Sequence, residues 1–326
     1  YDTAVVDYQR MVPPAKSMNA VAYLKQGIMA ILERIHRKDR ELLKQNFNSF
    51  ISENVKLTPK YDTYEELESN PPEADMYLLG SDQVWNVTYR YRPEFFADFA
   101  KANVKVASYA ASIGHYRYRA EQLEQLRAGL KKVSPISVRE ESACAFLKEN
   151  FDLDSQVHLD PVFLLKKEEW KNLAIEPGIK KKYILCYALT NSRLLNEAAK
   201  KLKKETGYKV VSISASAKNF AKGDINIFNA GPKEFLGLMF GAEIVLTTSF
   251  HGTALSIIAE KPFYNFTAAF YASRTSDLLT KLELTDRIPT SGEKIVMEKI
   301  DYTKVSKKIE HCVQNAKEYL NSLKEV

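Results

Sequence analysis

The stretch Ile244-Val245-Leu246-Thr247-Thr248-Ser249-Phe250-His251-Gly252-Thr253, continued by Ala254–Ala259 and Phe263-Tyr264-Asn265, decides the fold. An apolar, β-branched run of four residues reads as a buried strand. Gly252 permits a tight turn, Thr253 is placed to cap a helix, and Ala254–Ala259 is a small-residue helix able to pack closely. Phe263–Asn265 then reads as the next strand. Strand, helix and strand in this order make a parallel β-α-β unit.

The same alternation extends in both directions. Just before it come strand Tyr183–Leu189, helix Ser192–Thr206, strand Lys209–Ile213 and helix Lys233–Phe240, and after it a closing helix over about Lys304–Leu323. Towards the N-terminus the expected strands are Ala4–Val6, Met76–Leu79, Val104–Tyr109, Ile136–Val138 and Val157–Leu159. Helical patterns cover about Ala20–Asn46, Tyr64–Ser69, Ala120–Val133 and Glu141–Asn150. The polar stretch Lys166–Lys182, with Pro177-Gly178, is the linker candidate. A chain of 326 residues suits two units. The expected fold class is therefore α/β, with two doubly wound halves: residues 1–165, residues 182–300, and a terminal helix over 301–326. Such halves take ligands at the carboxyl ends of their strands, in the cleft between them.

Composition narrows the function classes. With 45% hydrophobic and 27% charged residues the chain reads as a globular protein, and no run reaches the roughly 18 apolar residues of a membrane span. A net charge of +6 comes from scattered basic residues with no recognition motif, which argues against nucleic acid as a partner. The three cysteines, Cys144, Cys186 and Cys312, form no CxxC pair and read as buried thiols of a reducing, cytoplasmic protein. No His, Cys, Asp or Glu spacing suggests a metal site, and P-loop, GxGxxG and GxSxG patterns are absent from the sequence.

Three turns that follow strands carry the chemistry. Leu79-Gly80-Ser81-Asp82-Gln83-Val84-Trp85-Asn86 gathers a hydroxyl, a carboxylate, an amide and an indole. Its plain reading is a capped turn with Trp85 in the core; its functional reading is a sugar site, with Ser81, Asp82 and Gln83 hydrogen-bonding and Trp85 stacking. In Ser137-Val138-Arg139-Glu140-Glu141, Arg139 joins a strand to a helix N-terminus, a pairing suited to phosphate or carboxylate, with a surface ion pair to Glu140 or Glu141 as the alternative. The third turn holds Ser249, Phe250, His251, Gly252 and Thr253. An imidazole changes charge near neutral pH, so His251 in a cleft is a candidate for proton transfer. His115, after Ser112-Ile113-Gly114, is a weaker cleft candidate.

Taken in order, GSDQVWN, SYAASIG, ISVREESACAFL, HLDPVFLL and TTSFHGTALSIIAEKPFYNF resemble the polysaccharide pyruvyl transferase family, over about Tyr1 to Arg287. The resemblance implies two Rossmann-like, GT-B-like domains. It also implies transfer of a pyruvyl group from phosphoenolpyruvate to the hydroxyls of a surface polysaccharide or its lipid-linked precursor, giving a pyruvate ketal. No cofactor is implied beyond that donor substrate. A glycan acceptor is the implied partner, which allows peripheral contact with the inner face of the membrane. Oligomeric state is not specified. The family's donor-associated histidine and arginine match His251 and Arg139, and Asp160-Pro161 matches its DP pair, read as shaping the crossing between halves.

The chain departs from the family pattern at two places. Many relatives carry arginine two positions before the histidine, where this chain has Ser249; Arg274 is the candidate substitute, with a surface ion pair to Asp277 as its alternative. Relatives also begin with a strand and a glycine turn before the equivalent of Ala4–Val6, so one unit is expected to be missing. Two other functions stay open on the sequence: a GT-B-type glycosyltransferase using a nucleotide sugar, and a non-catalytic glycan-binding protein.

Overall fold

The computed structural model describes residues 1–8, 36–88, 90–213, 223–267, 273–290 and 295–324. The expected helical pattern over 20–35 lies outside them. Helix α1 (Arg37–Asn54) runs eight residues past its expected end. The expected strand Ala4–Val6 reduces to a parallel bridge between Val5 and Leu57, followed by one between Tyr8 and Tyr61. Val5 is exposed, so no apolar face holds a longer strand there.

In the first half, α2 (Tyr64–Ser69) starts at a capping box in which Thr63 accepts from the Glu66 N–H and Glu66 reaches back. Strand β1 (Met76–Leu79) pairs in parallel with β2 (Lys105–Ser108), Met76 opposite Lys105. After α3 (Ala120–Leu130), β3 (Ser137–Val138) pairs with β4 (Gln156–Val157), and α4 (Glu141–Phe151) lies between them in sequence. Single bridges from Ala111 to both Asp82 and Val138 tie the two pairs into one parallel array. All four strands therefore end on one side, at Ser81, Ala111, Arg139 and Asp160. Trp85, Phe96, Leu126 and Leu147 fill the core beneath them.

The second half is a five-stranded parallel sheet in the order β7-β6-β5-β8-β9. Its strands are β5 (Tyr183–Tyr187), β6 (Lys209–Ile213), β7 (Ile225–Ile227), β8 (Ile244–Thr247) and β9 (Phe263–Asn265). Tyr183 and Leu185 pack on one face, Ile184 and Cys186 on the other, so both faces are buried, as the continuous apolar strands require. Helix α6 (Arg193–Thr206) is capped by the Ser192 hydroxyl and ends at Gly207 with φ 71°. Helix α7 (Pro232–Gly241) begins with proline at its first position. The chain reverses its direction of travel between β5 and β8, which makes the ends of those strands the switch point of the sheet.

The structure revises three local expectations. The stretch read as a linker, 166–182, contains α5 (Lys167–Leu173). Helix α8 (Phe250–Ile258) starts four residues earlier than expected, and its cap is Ser249, whose hydroxyl accepts from the Gly252 N–H at 3.3 Å; Thr253 is inside the helix. Helix α9 (Ser273–Lys281) was not anticipated. The closing helix, α10 (Tyr302–Ser322), crosses back to the first half, where Ala316 and Tyr319 pack with Ala107, Tyr109 and Ala110. The Tyr319 hydroxyl donates to the Ser108 carbonyl at 2.7 Å. Among the described residues no helix is long and apolar enough to cross a membrane.

Candidate active site

The site forms where the strand ends of the two halves face each other. A small cleft, open to solvent, is lined by Arg139, Glu141, Leu159 and Asp160 from the first half. Phe250, Arg274, Asp277, Leu278 and Lys281 line it from the second.

Its floor is a buried charge network. Arg139 leaves β3 directly, and its side chain is only 2% exposed. Nη1 donates to Asp160 Oδ2 at 2.6 Å, Nε to Glu140 Oε1 at 3.1 Å, and the guanidinium lies 4.2 Å from the Phe250 ring centroid. Asp160 (1% exposed) caps the short turn after β4, accepting from the Val162 N–H at 3.1 Å and from the Ser81 hydroxyl at 2.7 Å. Burial pushes the Asp160 carboxyl up, but His251, Arg139 and Ser81 together outweigh it and hold the group below the ordinary carboxylate range. Glu140, fully buried, keeps a raised carboxyl because burial outweighs Arg139. Burial pulls Arg139 down, and the Glu140 and Asp160 charges more than restore it. The surface ion pair considered for Arg139 is thus replaced by a buried one.

Two guanidinium groups retain unused donors. Arg139 Nη2 is buried without a hydrogen-bond partner, and Asp82 Oδ1 lies 3.7 Å away. Arg274 is 15% exposed, and its Nε is likewise unpartnered. Its Nη1 stands 3.8 Å from Asp82 Oδ1, and the Gln83 amide lies 2.9 Å from both Nη atoms, where its oxygen can accept. Burial and then the Arg139 charge lower the Arg274 pKa, as expected of two cations crowded at one site. Asp277 is not its partner. That carboxylate reaches across the cleft to the N-terminus of α4, accepting from the Ser142 N–H at 3.1 Å and the Ser142 hydroxyl at 2.6 Å. Lys281 bridges to Glu141 at 2.8 Å, so α9 closes the cleft with two cross-links.

His251 stands beside Asp160, 42% exposed, with Nε2 3.6 Å from Asp160 Oδ2. The surrounding hydroxyls hold the turn. Thr247 Oγ1 donates to the Tyr187 carbonyl and accepts from the Ser249 N–H, while Thr248 Oγ1 accepts from the Leu189 and Thr190 N–H groups. Gly252 is required for space: a Cβ there would meet Thr247 Oγ1 at 2.3 Å.

Of the residues singled out in sequence, Arg139, Phe250 and Arg274 line the cleft, and Ser81, Asp82, Gln83 and His251 contact Asp160 or the two guanidiniums beside it. Others serve different ends. Trp85 is a correction: it is fully buried against Phe96, its indole N–H donates to the Phe95 carbonyl, and neither face is open to a sugar. Thr253 is buried between the Ser249 carbonyl and Asn265, and Ser249 is committed to the cap, so neither side chain is turned to a ligand. His115 packs on Tyr118 and contacts Thr88, apart from the lining. Asp160 was undervalued, because a sequence shows an Asp-Pro pair without showing the three donors that meet it. No group of three or more His, Cys, Asp or Glu able to hold a metal occurs among the described residues.

The sequence model of the family described as "Polysaccharide pyruvyl transferase" matches residues 20–268. No curated protein matches the chain. Among solved structures it is similar to UDP-GlcNAc 2-epimerase from Neisseria meningitidis bound to UDP-GlcNAc, at 13% identity over 88% of this chain and 82% of that one, TM-score 0.46. The UDP-GlcNAc 2-epimerase from Methanocaldococcus jannaschii is similar at 13% identity over 83% and 74%, TM-score 0.43. A variant of the wall teichoic acid polymerase TagF is similar at 10% identity over 93% and 100%, TM-score 0.39. The chain belongs to the polysaccharide pyruvyl transferase family.

Proposed function

We propose that this family member transfers the pyruvyl group of phosphoenolpyruvate to two hydroxyls of a sugar in a surface polysaccharide or its precursor, forming a pyruvate ketal in the cytoplasm. The observation that carries the reading is the pair of unused guanidinium donors, Arg139 Nη2 and Arg274 Nε, on two residues that line one cleft, with His251 beside the cleft residue Asp160. Phosphoenolpyruvate brings a phosphate and a carboxylate, two anions that a pair of guanidiniums suits.

The chemistry requires a proton added at C3, which turns the methylene into a methyl group and makes C2 electrophilic. One sugar hydroxyl then adds at C2 and loses its proton. Phosphate leaves with the C2–O bond pair, and the second hydroxyl closes the ketal and loses its own proton. Of the two protons released, one balances the proton gained at C3 and the other goes to the departing phosphate. In this reading His251 supplies or removes the proton, and Arg139 and Arg274 stabilise the leaving phosphate. Asp82 and Gln83, already beside Arg274, face the acceptor sugar. Asp82 has φ 75°, a left-handed conformation costly for a residue other than glycine, and its side chain is the exposed one of this turn.

The test is phosphate release from phosphoenolpyruvate in the presence of candidate glycans. Turnover should fall on the order of 10²–10⁴-fold in His251→Ala. Undiminished phosphate release in His251→Ala would remove it from the chemistry. Thermal protection by UDP-GlcNAc but not by phosphoenolpyruvate would replace the donor.

A further inference from the structure

Asp160 Oδ2 is a hub: the Arg139 Nη1, the Ser81 hydroxyl and His251 Nε2 approach it at 2.6, 2.7 and 3.6 Å. An ionised carboxylate can only accept hydrogen bonds, so each neighbour must present a hydrogen. Nε2 is the ring nitrogen of His251 nearest to it, and a carboxylate attracts a hydrogen there and repels a lone pair. Its 3.6 Å distance is an ion-pair contact longer than a hydrogen bond, of the kind that tightens when a site is occupied.

We propose that Asp160 is the positioning residue of this site: it fixes His251 as the Nε2–H tautomer and leaves Nδ1 as the nitrogen that exchanges a proton with the substrate. Asp160 is a poor base itself, because it is buried and already accepts from Arg139, Ser81 and the Val162 N–H. Those same contacts make it rigid, and a rigid acceptor is what orients a half-exposed ring. The role of Nδ1 in catalysis rests on the reading of His251 as the proton-transfer group; the tautomer does not.

The experiment is ¹⁵N NMR of the histidine rings in the full chain, with the His251 signals assigned by their loss in His251→Ala. The unmodified protein should show His251 as Nε2–H. In Asp160→Asn the amide can turn its NH₂ to the ring, so the tautomer should shift towards Nδ1–H, a change that loss of a purely structural contact would not produce. For phosphoenolpyruvate turnover, kcat should fall on the order of 10²–10⁴-fold in Asp160→Asn, with KM within about threefold. An Nδ1–H ring in the unmodified protein, an unchanged tautomer in a folded Asp160→Asn, or unchanged kcat in that variant would overturn the proposal. Should Asp160→Asn not fold, the tautomer of the unmodified protein decides. If the unmodified chain does not turn over phosphoenolpyruvate, the donor reading fails while the tautomer still tests the role of Asp160.

Discussion

Replacing Arg139 by Met removes the cation between two carboxylates that are 1% and 0% exposed while keeping a side chain of similar length. Breaking a buried ion pair from one side costs about 3–5 kcal/mol, because the remaining charge has neither water nor partner. Here both Asp160 and Glu140 lose Arg139, which places the expected loss at the upper part of that range. Spread over a half of this size it corresponds to a fall in Tm of roughly 8–20 °C.

The pH dependence gives the prediction its sign. In the intact protein Asp160 titrates below its ordinary 3.8, so its contribution is complete above that value and is lost as pH falls through the lowered one. Glu140 runs the other way: its carboxyl is raised from 4.5, and its contribution weakens as pH climbs and it ionises. Without Arg139 both carboxyls rise, since burial acts on each with less to oppose it. The deficit of Arg139→Met should therefore be largest at about pH 7 and narrow by about pH 5. Urea unfolding followed by circular dichroism at both values measures it. A loss below about 1 kcal/mol, or one independent of pH, would refute the reasoning, since that is how a solvated surface pair behaves.

Arg274→Met should separate function from stability: relieving the repulsion from Arg139 keeps unfolding within about 1 kcal/mol of the parent, while phosphoenolpyruvate turnover is lost, as urea melts and phosphate release will show. Gly252→Ala drives a Cβ into Thr247 Oγ1 and to 3.0 Å from the Tyr187 ring, so it should destabilise by about 1–3 kcal/mol and lower turnover; a parent-like melt would contradict the packing argument. Tyr319→Phe removes the donor to the Ser108 and Pro135 carbonyls and should cost about 1–3 kcal/mol, with faster amide exchange in α10 than in the parent.

Much of this architecture was legible because strands buried on both faces leave continuous apolar runs. Met76–Leu79, Lys209–Ile213, Ile244–Thr247 and Phe263–Asn265 fall where the runs place them. The start of α8 was misplaced because Ser249 and Thr253 are equally good caps by residue type, and only the hydrogen bond to the Gly252 N–H chooses between them. Arg139 and His251 were visible as polar residues at strand ends. For Trp85 the sequence offered both the core and a sugar-stacking face and could not choose, since an indole beside three polar residues looks the same whether it faces solvent or Phe96. Asp160 could not be weighted from sequence either: its partners, Ser81, Arg139 and His251, lie 79, 21 and 91 positions away. Arg274 belongs to a helix short enough, at nine residues, to carry little periodic signal, and its place in the cleft is set by the cross-links of Asp277 and Lys281 to α4.

The central claim is that the cleft takes an anionic three-carbon donor between two guanidiniums beside His251. A crystal structure of the full chain with phosphoenolpyruvate tests it most directly. The account predicts phosphate or carboxylate oxygens within hydrogen-bond reach of Arg274 Nε and Arg139 Nη2, with the donor's C3 turned towards His251. Phosphoenolpyruvate bound elsewhere, or a cleft that stays empty at saturating ligand, would contradict it.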